Sequence, residues 1–330
     1  MGELLLDIKD LKVAYKVYAG LSRVLNGVNI EVNKGERIGI VGETGGGKTT
    51  TARSILRILP KSARILGGKI LFQNKDVLKM SAGEVSVLRG QGVSMVFQDP
   101  TASLNPVFTI GTIMRDVIRY SLTASGSRVD SSQIEEIAIN ALRLASLPDP
   151  ERLLSNYPFQ LSGGMRQRVS IGMALATPRS LLIADEPTTN LDVTIQDQVL
   201  RLIKGLVDQK QTSLILITHS LGIASEMTDR IYVMYAGTIV EQANTEDLFE
   251  NPQHPYTRAL ISCIPKLSGG GIGSEIPGRM PDYLNRSRGC SFSPRCLKAL
   301  PICEKELPPL VEIEPGHKVA CFLGTTKQGV

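Results

Sequence analysis

The chain has 330 residues, 42% hydrophobic and 21% charged, which suits a globular protein with a full core and excludes a disordered or fibrous one. The net charge is only +5 with both signs spread along the chain, Trp is absent and aromatics are 5%, so neither a basic tract nor a base-stacking platform points to nucleic acid. Glu3 and Asp7 flank the first apolar run, Leu6 stands where a myristoylated chain has Ser or Thr, and no apolar stretch approaches the roughly 18 residues of a bilayer span, so the expected location is cytosolic.

In chain order, the first element of note is Val13-Ala14-Tyr15-Lys16, with Tyr18 close behind, and residues 28–32 read as a strand. Residues 37–41 (RIGIV) form a short apolar run of the buried parallel-strand kind. Gly42-Glu43-Thr44-Gly45-Gly46-Gly47-Lys48-Thr49 then satisfies the phosphate-loop pattern GxxxxGK[ST], followed by Thr50 and a helix expected over 48–59 that Pro60 stops. Glycines let the loop turn its N–H groups inward at phosphate oxygens, Lys48 adds a full charge and the Thr49 hydroxyl suits Mg²⁺. This motif predicts binding of a nucleoside triphosphate.

Residues 94–97 read as the next strand, ending at Gln98. Between Asp99 and Gln160 strand patterns vanish, and 134–147 has apolar residues at helical spacing, which predicts a helical insertion. Leu161-Ser162-Gly163-Gly164-Met165-Arg166-Gln167-Arg168 opens another helix, running to about Ala176, with Ser162 as a good N-cap and glycines that permit close approach of an anion. The strand 181–184 ends in Asp185-Glu186. A carboxylate there suits Mg²⁺, and the next acid suits acceptance of a proton from water. Strand 214–218 precedes His219, and 231–240 reads as an antiparallel pair turning at Ala236-Gly237. The alternation of strands and helices predicts an α/β layer structure with a mostly parallel sheet.

Ten of the 18 prolines and all five cysteines lie between Pro252 and Cys321, marking a boundary near residue 250. The segment beyond it, with the glycine-rich run 268–274, reads as a loop-rich appendage that needs a staple. Cys290, Cys296, Cys303 and Cys321 favour a metal over disulfides in a reducing compartment. Their spacing lacks the CxxC pairs of zinc ribbons, which on the residues alone leaves zinc and an iron–sulfur cluster level, with free thiols as the lesser alternative. Cys263 falls outside the group and reads as a buried hydrophobe.

Together these motifs resemble the ATP-binding-cassette transporter family, whose LSGGQ-type signature precedes an Asp-Glu pair at about this interval. The resemblance implies an α/β phosphate-loop NTPase cassette over residues 1–250, with a mostly parallel sheet core, an antiparallel β subdomain and a helical subdomain at about 99–164. It implies that Gly42, Thr44, Gly45, Gly46, Gly47, Lys48, Thr49 and Thr50 bind ATP, with Tyr15 stacking on adenine in competition with Tyr18. Gln98 resembles the Q-loop glutamine, a magnesium ligand with Thr49 and Asp185. Glu186 and His219 take the catalytic roles of base and switch histidine, and Asp192 belongs to the D-loop. Ser162, Gly163 and Gly164 are expected to close on ATP held by a second ATPase chain, related but distinct.

Gln98-Asp99-Pro100-Thr101-Ala102-Ser103-Leu104-Asn105-Pro106 and His254-Pro255-Tyr256-Thr257-Arg258-Ala259-Leu260 narrow the resemblance to the oligopeptide, dipeptide and nickel importer ATPases. Pro277-Gly278, Gly289-Cys290-Ser291-Phe292 and Arg295-Cys296 match as well. This implies a 251–330 extension whose Cys290, Cys296, Cys303 and Cys321 hold a [4Fe–4S] cluster, with Zn²⁺ as the alternative. It also implies two membrane permease subunits as partners, a substrate-binding protein acting indirectly, no nucleic acid, and a peripheral place on the cytoplasmic face of the membrane. Peptide cargo is the expectation, with nickel import as the neighbouring alternative. A soluble cassette ATPase of nucleic-acid maintenance is the reading from a different class.

Overall fold

The computed structural model describes residues 2–124, 126, 130–189, 191–264 and 276–325, so the glycine-rich run 268–274 lies outside the described residues. Strands β1 (Leu4–Val17) and β2 (Gly20–Asn33) precede β3 (Arg37–Val41) and helix α1 (Lys48–Ile55). There follow β4 (Ala63–Phe72), β5 (Lys75–Asp76), α2 (Ala82–Val87), β6 (Val93–Val96), α3 (Pro100–Ser103), α4 (Ile110–Ala124), α5 (Ser131–Leu144), α6 (Pro150–Leu153) and α7 (Gly163–Ala174). The chain continues through β7 (Leu181–Asp185), α8 (Val193–Lys210), β8 (Ser213–Thr218), α9 (Leu221–Met227), β9 (Arg230–Tyr235), β10 (Thr238–Asn244), α10 (Thr245–Glu250) and α11 (Pro255–Ser262). The last elements are α12 (Pro301–Lys305), β11 (Val311–Glu314), β12 (His317–Val319) and α13 (Phe322–Thr325). Among the described residues no helix is long and apolar enough to cross a membrane.

The chain comprises two compact units. The first is built mainly on Lys79–Leu216. Its β6 and β7 pair in parallel, Val93 opposite Leu181 and Val96 opposite Ala184. Ile110, Met114 and Ile118 line one face of α4 at a four-residue interval, and Ile134, Ala138 and Leu142 do the same on α5. These stripes bury against Leu161 and Val169, so the expected helical character of 99–160 is realised around a core of its own. Helix α5 starts three residues before the expected 134 because the Asp130 side chain accepts the Ser131 N–H.

The second unit comprises Leu4–Val32, Arg37–Leu78 and the chain from Ile217 onward. Here β1 pairs antiparallel with β4, Leu6 opposite Phe72 and Tyr15 opposite Ala63. Strand β3 pairs in parallel with β9, Val41 opposite Val233. The expected β9–β10 pair forms with Ala236 at φ 44° and Gly237 at φ 74°, the two left-handed residues of a tight hairpin. Strand β12 adds to β10 antiparallel, Glu241 opposite Val319, and β11 adds to β12. Glu241 is buried and anchors this region: its carboxylate accepts the Gln253 and His254 N–H groups at 2.6 and 2.9 Å and meets His317 Nε2 at 2.8 Å.

Two local expectations are corrected. Helix α1 ends at Ile55 rather than 59, because Arg57 takes φ 53° and the Arg57 and Ile58 N–H groups turn back to Ser54 and Arg53, a Schellman stop upstream of Pro60. Cys263 caps α11 and is half-buried, not a core hydrophobe.

Candidate functional site: a nucleotide loop, an acidic strand end and a signature helix

The residues expected to handle nucleotide are divided between the two units. In the second unit β3 delivers the loop Gly42 to Thr49, in which Gly42, Gly45 and Gly47 have φ of 147°, 83° and 104°. A Cβ on Gly42 would stand 2.1 Å from the Met234 carbonyl oxygen, so backbone packing excludes any side chain there. Helix α1 then begins with no side-chain cap and no acid in its first turn. The positive end of the helix dipole suits an anion such as phosphate. Lys48 is only 4% exposed, its ammonium donating to the Gly42 and Glu43 carbonyls at 2.8 and 3.0 Å. Tyr15 lies on β1 with its hydroxyl 3.1 Å from Thr50 Oγ1, so both sit at the start of α1, whereas Tyr18 is fully exposed. His219 follows β8 at an exposed position, just before Ser220, whose hydroxyl caps α9.

Three contacts on the loop come from residues that sequence reasoning gave no role there. The Tyr256 hydroxyl accepts the Glu43 N–H at 2.8 Å, the Tyr283 hydroxyl donates to the Gly45 carbonyl at 2.6 Å, and Arg295 pairs with the Glu43 carboxylate at 2.9 Å. Burial raises the Tyr256 phenol and lifts that of Tyr283 to about 12, so both stay protonated at physiological pH.

In the first unit all five residues of β7 are buried, ending at Asp185, which is 2% exposed. Glu186 turns out of the strand at φ 47°, an uncommon conformation for a non-glycine residue. Gln98, just past β6, donates its side-chain amide to Glu186 Oε2 at 3.0 Å, and the Thr189 hydroxyl donates to the same oxygen at 3.1 Å. The expected magnesium glutamine and the expected base are therefore in direct contact.

Ser162 caps α7 as expected, accepting the Met165 N–H at 3.3 Å. Gly163 and Gly164 form the first turn, and a Cβ on Gly164 would lie 2.9 Å from Ile195 Cγ2. Asp192 caps α8 by accepting the Ile195 N–H at 3.0 Å, which ties the D-loop to the helix that packs on the signature glycines.

The four extension cysteines line one small cavity together with His254, Phe292 and Phe322. The Leu300 N–H donates to the Cys303 sulfur at 3.4 Å. Burial pushes the Cys290 thiol up to about 11 and also raises Cys296 and Cys321. Among the described residues no three or more His, Cys, Asp or Glu side chains converge as a ready single-ion site.

The family model for the ABC transporter matches residues 25–189, and that for the oligopeptide/dipeptide transporter C-terminal region matches 240–303. The chain is 47% identical over 324 residues to a probable peptide ABC transporter ATP-binding protein of Sinorhizobium fredii, covering 97% of this chain and 95% of that one. It is 40% identical to the dipeptide transport ATP-binding protein DppD of Bacillus subtilis, again over 97% and 95%. A solved structure of a Clostridium perfringens protein, part of an ABC transporter complex, superposes with a TM-score of 0.62 at 26% identity, covering 76% of this chain and 92% of that one. A dimeric cassette bound to ADP and phosphate shares the fold at a TM-score of 0.65 and 24% identity, covering 73% and 99%. The chain thus belongs to the ABC transporter family, among its oligopeptide and dipeptide transport ATP-binding proteins.

Proposed function

We propose that the protein is the ATP-hydrolysing subunit of an importer for dipeptides or oligopeptides, working at the inner face of the membrane against two permease subunits that a substrate-binding protein supplies. The observation that carries the ATPase is the loop itself: a buried lysine and an uncapped helix start following a glycine turn whose side-chain space is filled by backbone. The cargo class rests on the near end-to-end likeness to peptide transport subunits.

In this reading Gly42, Thr44, Gly45, Gly46, Gly47, Lys48, Thr49 and Thr50 bind the triphosphate, and Tyr15 stacks on adenine. Thr49, Gln98 and Asp185 would hold Mg²⁺, which neutralises the developing phosphate charge. Glu186, with its carboxylate steadied by Gln98 and Thr189, accepts the proton of the attacking water. His219 hydrogen-bonds the γ-phosphate. Ser162, Gly163 and Gly164 close on ATP held by a related but distinct ATPase chain, and Asp192 stabilises that closure. Residues 1–250 form the cassette and 251–330 the extension.

Cys290, Cys296, Cys303 and Cys321 suit a [4Fe–4S] cluster better than Zn²⁺. What supports this reading is that the four thiols line one cavity. The bonds of such a cluster would staple a segment short of apolar core.

The test is deletion in the source cell. Loss of the chain is expected to abolish uptake of a labelled dipeptide or oligopeptide, and a K48A copy is expected not to restore it. Unchanged peptide uptake, or purification from detergent extracts without any hydrophobic permease, overturns the reading.

A further inference from the structure

The nucleotide loop carries an acidic residue, Glu43, directly after its first glycine. An uncompensated carboxylate there repels the triphosphate that the loop receives. Its charge is met by Arg295, 252 residues along the chain, whose Nη1 lies 3.1 and 2.9 Å from the two Glu43 oxygens. The Arg295 side chain is 5% exposed and that of Glu43 27%, so solvent screens the pair only in part.

Arg295 is itself fixed. Its Nε donates to the Pro277 carbonyl at 2.7 Å, its Nη2 to the Ile276 carbonyl at 3.1 Å, and its Nη1 also reaches the Tyr235 hydroxyl at 3.2 Å. The guanidinium lies over the Phe292 and Tyr235 rings. It sits between two of the cavity cysteines, directly before Cys296, in the segment that begins at Cys290. The second contact is mechanical. A trans peptide points its C=O and N–H to opposite sides, so Tyr283 holding the Gly45 carbonyl also fixes the Gly46 N–H, which turns to the Glu43 carbonyl at 3.1 Å.

We propose that Arg295 and Tyr283 are positioning residues of the nucleotide loop: Arg295 cancels the Glu43 charge, Tyr283 fixes the Gly45–Gly46 peptide, and ATP affinity therefore depends on the folded cysteine-bearing extension. The inference rests on the loop being the ATP site.

The experiment measures binding of a fluorescent ATP analogue, KM and kcat for the full chain and for R295Q, E43Q, the double variant and Y283F, with K48A as control. R295Q is expected to weaken ATP binding about tenfold through KM with little change in kcat, because it bares the carboxylate while the reacting groups stay in place. E43Q alone is expected to stay within about twofold of the parent, and adding E43Q to R295Q is expected to recover most of the loss. Y283F should cost about threefold. A double variant as weak as R295Q, or an R295Q that binds as the parent does, overturns the charge role. Y283F binding as the parent does overturns the mechanical one. Should R295Q fail to fold, the charge role is read from a charge-swapped pair, E43R with R295E, which must bind better than E43R alone. Failure of the parent itself to bind, with K48A no different, is instead the failure of the ATP assignment.

Discussion

Gln98 donates its side-chain amide to Glu186 Oε2 at 3.0 Å, joining the end of one buried strand to the residue after the next. With Thr189 on the same oxygen, the carboxylate is oriented before any substrate arrives. In its proposed role as base, Glu186 loses its function, not its place, when the carboxylate becomes an amide. Glu186→Gln is therefore expected to keep ATP affinity and to lower turnover by about 10²–10⁴-fold, read from phosphate release beside nucleotide binding. Turnover near the parent rate removes Glu186 from that role.

Replacing the other partner tests the same contact from its far side. Gln98→Glu replaces an amide donor with a second carboxylate at hydrogen-bond distance, and the like charges push the two side chains apart. Gln98→Glu is therefore expected to lower kcat further than Gln98→Ala, which removes the donor without adding a charge, read from phosphate release.

Gly164 separates stability from function on the signature helix. A Cβ would press on Ile195 Cγ2 at 2.9 Å, an encounter with a side chain rather than backbone. Gly164→Ala is expected to cost about 1 kcal/mol in urea unfolding and about a hundredfold in turnover. Adding Ile195→Ala should relieve the overlap, leaving turnover low because the added methyl still meets the anion.

His254 makes part of the stability depend on pH. It is buried with Nδ1 accepting the Tyr256 N–H at 3.0 Å, and burial pushes its imidazole from 6.5 down to about 4, against the pull of Glu241. The unfolded chain thus binds a proton that the folded chain refuses. This stability is complete above about pH 6.5 and is lost as pH falls from there toward 4, up to about 3 kcal/mol. Urea midpoints of the parent are expected to fall more steeply over that window than those of His254→Asn, which keeps a cap acceptor and does not titrate.

The cysteine cavity predicts a measurable composition. Protein purified without oxygen is expected to be brown with about four irons per chain, and Cys303→Ser should lose both colour and iron. One zinc per chain instead defeats the cluster.

What could be read from the sequence was local. The loop 42–49, the acids after β7, the Ser162 cap and the Ala236-Gly237 turn each declare themselves within a few residues, because one turn or one helix end dictates them. Strands β1 and β2 extend well past what their apolar residues suggest, since the partner strand rather than side-chain alternation sustains their ends. The contacts of Arg295 and Tyr283 with the loop had no local signal. An arginine before a cysteine gives no hint of an acid 252 residues upstream, and only tertiary packing joins them.

Strand β12 lies along β10, Glu241 opposite Val319, and thereby covers main-chain groups that would otherwise face solvent. A chain trimmed at residue 250 would strip that cover, leave the buried Glu241 carboxylate without Gln253, His254 and His317, and present a raw sheet margin able to recruit another copy. The β10 margin and the buried Glu241 carboxylate are thus completed only by chain beyond residue 250.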